Sequence, residues 1–217
     1  MIEAVIFDLD DLLIDSEQVW DDIRREFVAE RGGRWRDSAQ RDMMGMSSHE
    51  WSRYVHEVLG VDMPPEDISR EVAGRVGARY RQRVPLLPGA REAVTRLATR
   101  WPLGLATSSN RELIDLVLEV SGLAPSFRVS VSSEEVSRGK PAPDVYLEAA
   151  RRLGAPPGRC AAIEDSHNGI LAAVAAGMRV LAIPNRAFPP GEEALAAVHR
   201  TLESLDDLTV EAVGSSG

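Results

Sequence analysis

The chain has 217 residues, of which 44% are hydrophobic and 27% charged, and its formal net charge is −9. This length can bury a sizeable core. The acidic balance argues against a nucleic-acid or anionic-membrane partner, because either would need a basic face. Cys160 is the single cysteine, which excludes an internal disulfide framework and a thiolate metal site built within the chain.

The first predicted strand ends in a dense group of carboxylates. The apolar run Ala4–Phe7 predicts a buried strand, and residues 8–17, DLDDLLIDSE, then supply five acidic side chains. Burial and mutual repulsion oppose such crowding unless a cation or a phosphoryl group is held there. An isolated Asp-x-Asp is more simply explained as a solvated acidic turn, so other parts of the chain must distinguish the two interpretations.

Residues 16–84 show helical periodicity and no convincing strand pattern. We predict helices over residues 18–30, 38–43, 49–59 and 65–82. A helical block of this size after the first strand predicts an inserted helical cap domain, of the kind that excludes water and selects substrates. In the loop before the third helix, Gly45 would let backbone approach a ligand.

An arginine-rich stretch lies in this helical block. Its basic residues are interleaved with Glu26, Glu30 and Asp37, which indicates a solvated helical face rather than a basic binding surface. The arginines are Arg24, Arg25, Arg31, Arg34 and Arg36.

Beyond the helical block, short apolar runs alternate with helical segments. The predicted strands cover residues 103–106, 129–132, 161–163 and 180–183. The predicted helices cover residues 88–100, 110–121, 144–153 and 168–176, and they end near Gly122, Gly154 and Gly177. This alternation predicts an α/β fold, a doubly wound, Rossmann-like parallel sheet formed by residues 1–15 and 85–213. We predict that residues 214–217 form a flexible tail.

Polar side chains follow the ends of the predicted strands, where open α/β sheets bind their ligands. Taken alone, each group is explained by helix capping or by a loop lysine. Capping does not explain, however, why two pairs of acids, a group of hydroxyls and a lysine share one edge of the sheet. These residues are Asp8, Asp10, Thr107, Ser108, Ser109, Lys140, Glu164 and Asp165.

Phosphoryl transfer through a carboxylate nucleophile requires such a set. An aspartate can attack phosphorus if Mg²⁺ and cationic or hydroxyl donors neutralise the equatorial oxygens, and a second acid can protonate the leaving alkoxide. Magnesium prefers oxygen ligands, which these residues supply. The four histidines are scattered and suggest no competing metal site.

Four segments, FDLDDLLIDSE, LATSSN, GKPAPDVY and AIEDSHNGI, resemble in order the signature motifs of the haloacid dehalogenase superfamily. The resemblance covers essentially the whole chain. It is closest to the phosphatase and phosphomutase branch, which carries a helical cap after the first strand. Haloacid dehalogenases proper need no Mg²⁺, and the double acid Glu164-Asp165 argues against their chemistry.

The resemblance implies a role for each motif residue. Asp8 would form an aspartyl phosphate, and Asp10 would be the general acid and base with its backbone carbonyl on the metal. Lys140 would offset charge between nucleophile and phosphate, and Thr107 would supply a catalytic hydroxyl. The implied Mg²⁺ ligands are Asp8, Asp10, Glu164 and Asp165. The expected phosphate-binding or substrate-binding residues are Ser108, Asn110, Trp20 and Ser48.

The chain departs from the family pattern at three positions. Asp11 replaces a common glycine, and we expect it to be tolerated because aspartate adopts unusual backbone geometry more readily than most residues. β-Phosphoglucomutases carry a histidine and a phosphate-gripping arginine where this chain has Trp20 and Ser48, which argues against a mutase cycle. Trp20 fits the cap core about as well as a substrate-facing role.

We therefore expect a Mg²⁺-dependent phosphatase acting on a small phosphorylated metabolite, a sugar or polyol phosphate, similar to phosphatases of the 2-deoxyglucose-6-phosphatase kind. A phosphomutase of the β-phosphoglucomutase type is the first alternative, and a non-catalytic binding module is the second. With no membrane-length apolar window and no leader-like start, we expect a cytoplasmic monomer with no nucleic-acid or membrane partner.

Overall fold

The computed structural model describes residues 1–44 and 46–214. Its centre is a six-stranded parallel sheet in the order β3-β2-β1-β4-β5-β6. The strands are β1 (Ala4–Phe7), β2 (Leu103–Thr107), β3 (Phe127–Ser132), β4 (Cys160–Glu164), β5 (Arg179–Ala182) and β6 (Arg200–Thr201). The strand order reverses direction at β1, so the predicted doubly wound, Rossmann-like sheet is confirmed.

Helices cover both faces of the sheet, because alternate residues of each strand point to opposite sides. Val5 and Phe7 pack into one apolar cluster, whereas Ala4 and Ile6 pack into another. The first cluster includes α5 (Ala90–Ala98), α6 (Arg111–Ser121) and α10 (Val210–Gly214), and the second includes α7 (Asp144–Leu153), α8 (His167–Ala175) and α9 (Glu192–Ala196). Within the described residues, no helix is long and apolar enough to cross a membrane.

Four helices occupy the chain between β1 and β2 ahead of α5, as predicted. They are α1 (Glu17–Glu30), α2 (Ala39–Met43), α3 (Ser48–Glu57) and α4 (Pro65–Gln82). Their buried residues, Phe27 and Val76 among them, join the apolar cluster that contains Phe7 on the sheet. The division of residues 16–84 from the remainder as a cap domain stays a prediction. Gly45, which we expect to let the backbone come close to a ligand, lies outside the described residues.

Glycine ends two helices as predicted. Gly122 and Gly154 follow α6 and α7 with φ of 70° and 71°, a left-handed conformation that costs glycine little. The short elements α9 and β6 were not predicted, because five and two residues carry too little periodicity to be recognised. The predicted tail is wrong at Gly214, which is the last residue of α10, and residues 215–217 lie outside the described residues.

We predict that two leucine-to-alanine substitutions change the free energy of unfolding by very different amounts. Leu105 on β2 is fully buried, so Leu105→Ala should lower the free energy of unfolding by about 2–5 kcal/mol. Leu147 on α7 is 40% exposed, and Leu147→Ala should change it by less than about 0.5 kcal/mol. Urea unfolding of both variants measures the difference, and equal losses would contradict the assigned strand.

Candidate active site

The ends of β1 and β4 bring the first and the last acidic motifs together. These strands are neighbours in register, with Phe7 opposite Ile163, and the Asp8 amide donates to the carbonyl of Ile163 at 3.0 Å. Asp8 follows β1 directly, while β4 ends at Glu164 with Asp165 next in the chain. All three carboxylates are buried side by side at the carboxyl edge of the sheet.

Lys140 bridges two of these carboxylates. Its Nζ donates to Asp8 Oδ1 at 2.6 Å and to Glu164 Oε1 at 2.5 Å, and all three side chains are buried. Burial opposes the charge on Lys140, but Asp8 and Glu164 together raise its pKa above the usual range. Burial also raises the pKa of Asp8, an effect that Lys140 opposes. The lysine is therefore held as a cation beside Asp8.

Glu164 uses both of its carboxylate oxygens in hydrogen bonds. Oε1 accepts from Lys140 and from the Tyr146 hydroxyl at 2.7 Å, while Oε2 accepts from the Asp165 amide and from the Ser166 amide and hydroxyl. Gly169 provides the space, because a Cβ there would lie 1.9 Å from Oε1. Glu164 thus connects the lysine, the end of β4 and the start of α8.

Asp10 is held on one side only. Its Oδ2 accepts from the Ser109 hydroxyl at 2.5 Å and from Thr107 at 3.3 Å, and the Ser109 amide donates in turn to the Thr107 hydroxyl. Its Oδ1 is buried and has no partner within the described structure. The holding role of Ser109 was missed, although its place in the Thr-Ser-Ser run marked it as a candidate.

Asp11 tolerates the unusual backbone geometry expected of it. Its φ is 56°, in the left-handed region. Its Oδ1 accepts from the amides of Ser16 and Glu17, at 3.1 and 2.9 Å, and from the Ser16 hydroxyl. Burial raises the pKa of Asp11 to about 7. This side chain ties the turn that follows Asp8 and Asp10 to the start of α1.

A cavity of about 120 Å³ opens above these groups. Asp8, Asp10 and Lys140 lie at its base, and its walls are formed by residues of α1, α2 and α3 and by the segments that follow β2 and β4. Buried polar groups normally have hydrogen-bond partners, yet five of the side chains lining this cavity carry a buried atom with no partner among residues 1–44 and 46–214. These atoms are Asp10 Oδ1, Arg24 Nε, Gln40 Oε1, Ser108 Oγ and Asp165 Oδ1. The cavity is thus shaped for a polar ligand.

The acidic cluster fits a hard divalent cation. Asp8, Glu164 and Asp165 each offer a carboxylate oxygen, and the three oxygens lie within 4.8 Å of one another. Asp165 Oδ1 is buried without a hydrogen bond, and desolvation raises the pKa of this carboxyl well above its usual range. A cation would compensate this buried charge, and an oxygen-only donor set is the one that Mg²⁺ and Ca²⁺ prefer.

Three of the four expected substrate-binding residues line the cavity, namely Trp20, Ser108 and Asn110. Ser48 does not. Its hydroxyl donates to Glu134 Oε1 at 3.0 Å, and the side-chain Nδ2 of Asn110 donates to the same oxygen at 2.7 Å. Ser48 therefore links α3 to the segment after β3, and its predicted contact with substrate has no support from its position.

The assignment of the arginine-rich stretch to a solvated face is wrong for Arg24. Four of its five arginines are exposed, but Arg24 is only 8% exposed and lines the cavity. It lies one helical turn after Trp20 on α1, so both side chains share the inner face of that helix. The signal available in the sequence was this spacing of four residues, which the surrounding charges obscured.

The model of the haloacid dehalogenase-like hydrolases matches residues 2–177 of the chain. The chain belongs to this family. This confirms the predicted family membership and the prediction that the protein is a phosphoric monoester hydrolase.

Several known proteins are similar to this hydrolase over most of its length. It is 39% identical to hexitol phosphatase B of Escherichia coli over 189 residues, which cover 84% of each chain. It is 32% identical over 213 residues to the bifunctional riboflavin kinase/FMN phosphatase of Arabidopsis thaliana, but these cover 97% of this chain and only 55% of that protein. The crystal structure of CbbY from Rhodobacter sphaeroides in complex with phosphate superposes with a TM-score of 0.89 at 27% identity, covering 99% and 100% of the two chains.

The space left by Gly169 predicts an effect that helix propensity alone would not give. In Gly169→Ala the new methyl group must displace the Glu164 carboxylate from Lys140, so the free energy of unfolding should fall by about 3–5 kcal/mol. Gly74→Ala in α4 is the matched control, because its Cβ would meet no atom within 4 Å. Gly74→Ala should raise the free energy of unfolding by about 0.4–1 kcal/mol. Thermal and urea unfolding compare the two, and a stable Gly169→Ala protein would show that Glu164 is not confined as described.

Proposed function

We propose that this hydrolase is a Mg²⁺-dependent phosphatase that removes phosphate from a small sugar or polyol phosphate through an aspartyl-phosphate intermediate on Asp8. The observation that carries the proposal is the arrangement at the base of the cavity. A buried Asp8 is paired with Lys140 at 2.6 Å, and Asp10, two residues on, presents an unpaired oxygen. The expectation of a monomer stays a prediction.

The relatives support the substrate class. Hexitol phosphatase B and the fructose-1-phosphate phosphatase YqaB of Escherichia coli carry sugar-related substrates in their names, and the latter is 30% identical over 81% of this chain. The small volume of the cavity favours a compact molecule of this kind. The site argues against the non-catalytic alternative, because Lys140 lies together with Asp8, Asp10 and Asp165 in the cavity.

In the proposed first step, an Asp8 oxygen attacks phosphorus and the ester P–O bond breaks. Asp10 gives its proton to the departing alkoxide, which leaves as the free alcohol. Its position suits this transfer, because Thr107 and Ser109 fix Oδ2 while Oδ1 remains available. Lys140 compensates negative charge that builds up near Asp8.

In the second step, water attacks the phosphorus of the aspartyl phosphate, Asp10 accepts a proton from that water, and phosphate leaves Asp8. Asp8 and Asp165 would hold the metal, together with the Asp10 carbonyl and with Glu164 if it exchanges one of its present hydrogen bonds. When bound, Mg²⁺ supplies positive charge to the phosphoryl oxygens. The Ser108 hydroxyl lines the same cavity without a partner, so we assign it to the phosphate.

The nucleophile assignment predicts that Asp8→Asn lowers phosphate release by roughly 10³-fold or more, because the amide cannot form the aspartyl phosphate. The fold should survive, since Lys140 keeps its ion pair with Glu164. Phosphate release from p-nitrophenyl phosphate and a panel of sugar phosphates measures the loss. Asp62→Asn changes an exposed loop carboxylate in the same way and should retain full activity.

Chelation provides the second arm of this experiment. Activity should disappear with EDTA and return with added Mg²⁺. Substantial turnover by a folded Asp8→Asn protein would exclude the covalent mechanism, whereas full activity in EDTA would exclude the metal.

A phosphomutase is the second candidate. This chain lacks the arginine that grips the second phosphate in β-phosphoglucomutases, but Arg24 supplies another cation in the cavity. A mutase must protect its aspartyl phosphate from water while the intermediate turns round. With β-glucose 1-phosphate and a trace of the 1,6-bisphosphate, we expect inorganic phosphate or no reaction. A coupled dehydrogenase assay measures glucose 6-phosphate. Its formation with little phosphate released would replace the phosphatase proposal with the mutase.

A further inference from the structure

The guanidinium of Arg24 contacts two tryptophan rings that meet at an angle. Its central carbon is 4.6 Å from the ring centroid of Trp20 and 4.7 Å from that of Trp51, and the two rings meet edge to face at 5.8 Å. The side chain belongs to α1 and is more than nine-tenths buried. Contacts with both rings restrict the guanidinium and leave its N–H groups to form hydrogen bonds in other directions.

Arg24 lacks the acceptors that a buried guanidinium normally has. No hydrogen bond or ion pair reaches its side chain from residues 1–44 and 46–214, and Nε is buried without a partner. Arg25 on the same helix is paired with Asp21 at 3.0 Å, and Arg31 next to the helix is paired with Glu71 at 2.6 Å. Contacts with aromatic rings compensate only part of the desolvation of a cation.

Arg24 retains its charge despite this environment. Burial lowers its pKa to about 10, against the opposing influence of Asp10, Asp21 and Tyr80. At neutral pH the side chain therefore carries a positive charge and five N–H donors, none of which hydrogen-bonds to a described residue. An acceptor brought by a ligand would satisfy it.

The position of Arg24 defines which part of a ligand it can meet. It lines the same cavity as Asp8 and Lys140, but it comes from the helical segment between the first two strands rather than from a strand end. In the proposed function, the phosphoryl group to be transferred lies against Asp8 and Lys140. The remainder of the substrate then fills the space bounded by Trp20, Trp51 and Arg24.

We propose that Arg24 is a specificity-determining residue that binds a second oxyanion, phosphate or carboxylate, on the substrate whose other phosphoryl group is transferred to Asp8. This proposal rests on the proposed phosphatase function and narrows its substrate to a compact sugar or polyol derivative with two anionic groups. The planar fork of a guanidinium is suited to bidentate contact with either oxyanion.

Three linear six-carbon probes that differ only at C1 test this proposal. D-Glucitol 6-phosphate carries a neutral hydroxymethyl group there, 6-phosphogluconate a carboxylate, and D-glucitol 1,6-bisphosphate a second phosphate. For the wild-type protein with Mg²⁺, kcat/KM should be roughly tenfold to 100-fold higher for at least one of the two doubly anionic probes than for D-glucitol 6-phosphate. The preferred probe identifies the oxyanion.

Arg24→Gln should remove this preference. It should lower kcat/KM of the preferred probe by roughly tenfold to 100-fold, mainly through KM, and change that of D-glucitol 6-phosphate less than about threefold. Arg24→Lys should lose less, because it keeps the charge without the planar fork. Arg25→Gln, on the exposed side of the same helix, should behave as wild type. If Arg24→Gln does not fold, the Arg24→Lys variant alone must still lose activity selectively toward the doubly anionic probe.

A wild-type protein without preference for a doubly anionic probe, or an equal loss toward all three probes, would overturn the proposal and leave Arg24 a structural residue. If the wild type releases phosphate from no probe and not from p-nitrophenyl phosphate, the phosphatase function fails instead. Titration calorimetry then decides about Arg24. Tighter binding of a doubly anionic probe than of D-glucitol 6-phosphate, lost in Arg24→Gln, would support the second oxyanion, and equal binding would exclude it.

Discussion

The buried contact of Lys140 with Asp8 and Glu164 is the interaction on which the rest of the site depends. Two anions and a cation are removed from water together, so loss of the lysine would leave two buried carboxylates without the cation that they share. The neighbouring positions of β1 and β4 bring the two acids to the same place, while the segment before α7 supplies the lysine. Through its second oxygen, Glu164 also holds the start of α8. Site geometry and the packing of these elements are therefore inseparable.

Much of the fold could be predicted from the sequence because buried strands and amphipathic helices leave strong periodic patterns. The run Ala4–Phe7 and the helices Asp144–Leu153 and Pro65–Gln82 have the bounds that their patterns indicated. Strand β6 left no such pattern, since Arg200 and Thr201 are both exposed and the strand is two residues long. Short edge elements are fixed by backbone pairing with a neighbour, here β5, and a sequence pattern does not record that pairing.

The base of the cavity could likewise be predicted, because residues that follow neighbouring parallel strands must meet at one edge. Its upper walls could not. Which face of α1 points inward depends on how that helix packs over the sheet, and a single arginine among many charges gives no direction. Arg24 was consequently assigned to solvent and Ser48 to the substrate, whereas Arg24 lines the cavity and Ser48 contacts Glu134. The motif residues depend on strand order alone, but the wall residues depend on tertiary packing.

The turn at Asp11 has a consequence for how such a protein can diversify. Two of the three donors that Asp11 accepts from are main-chain amides, of Ser16 and Glu17, and every residue except proline carries such an amide. The junction between the sheet and the helices above it thus places little demand on the side chains that follow. Those helices can accumulate substitutions, and a new substrate preference can arise in them, while the turn that follows Asp8 and Asp10 keeps its shape.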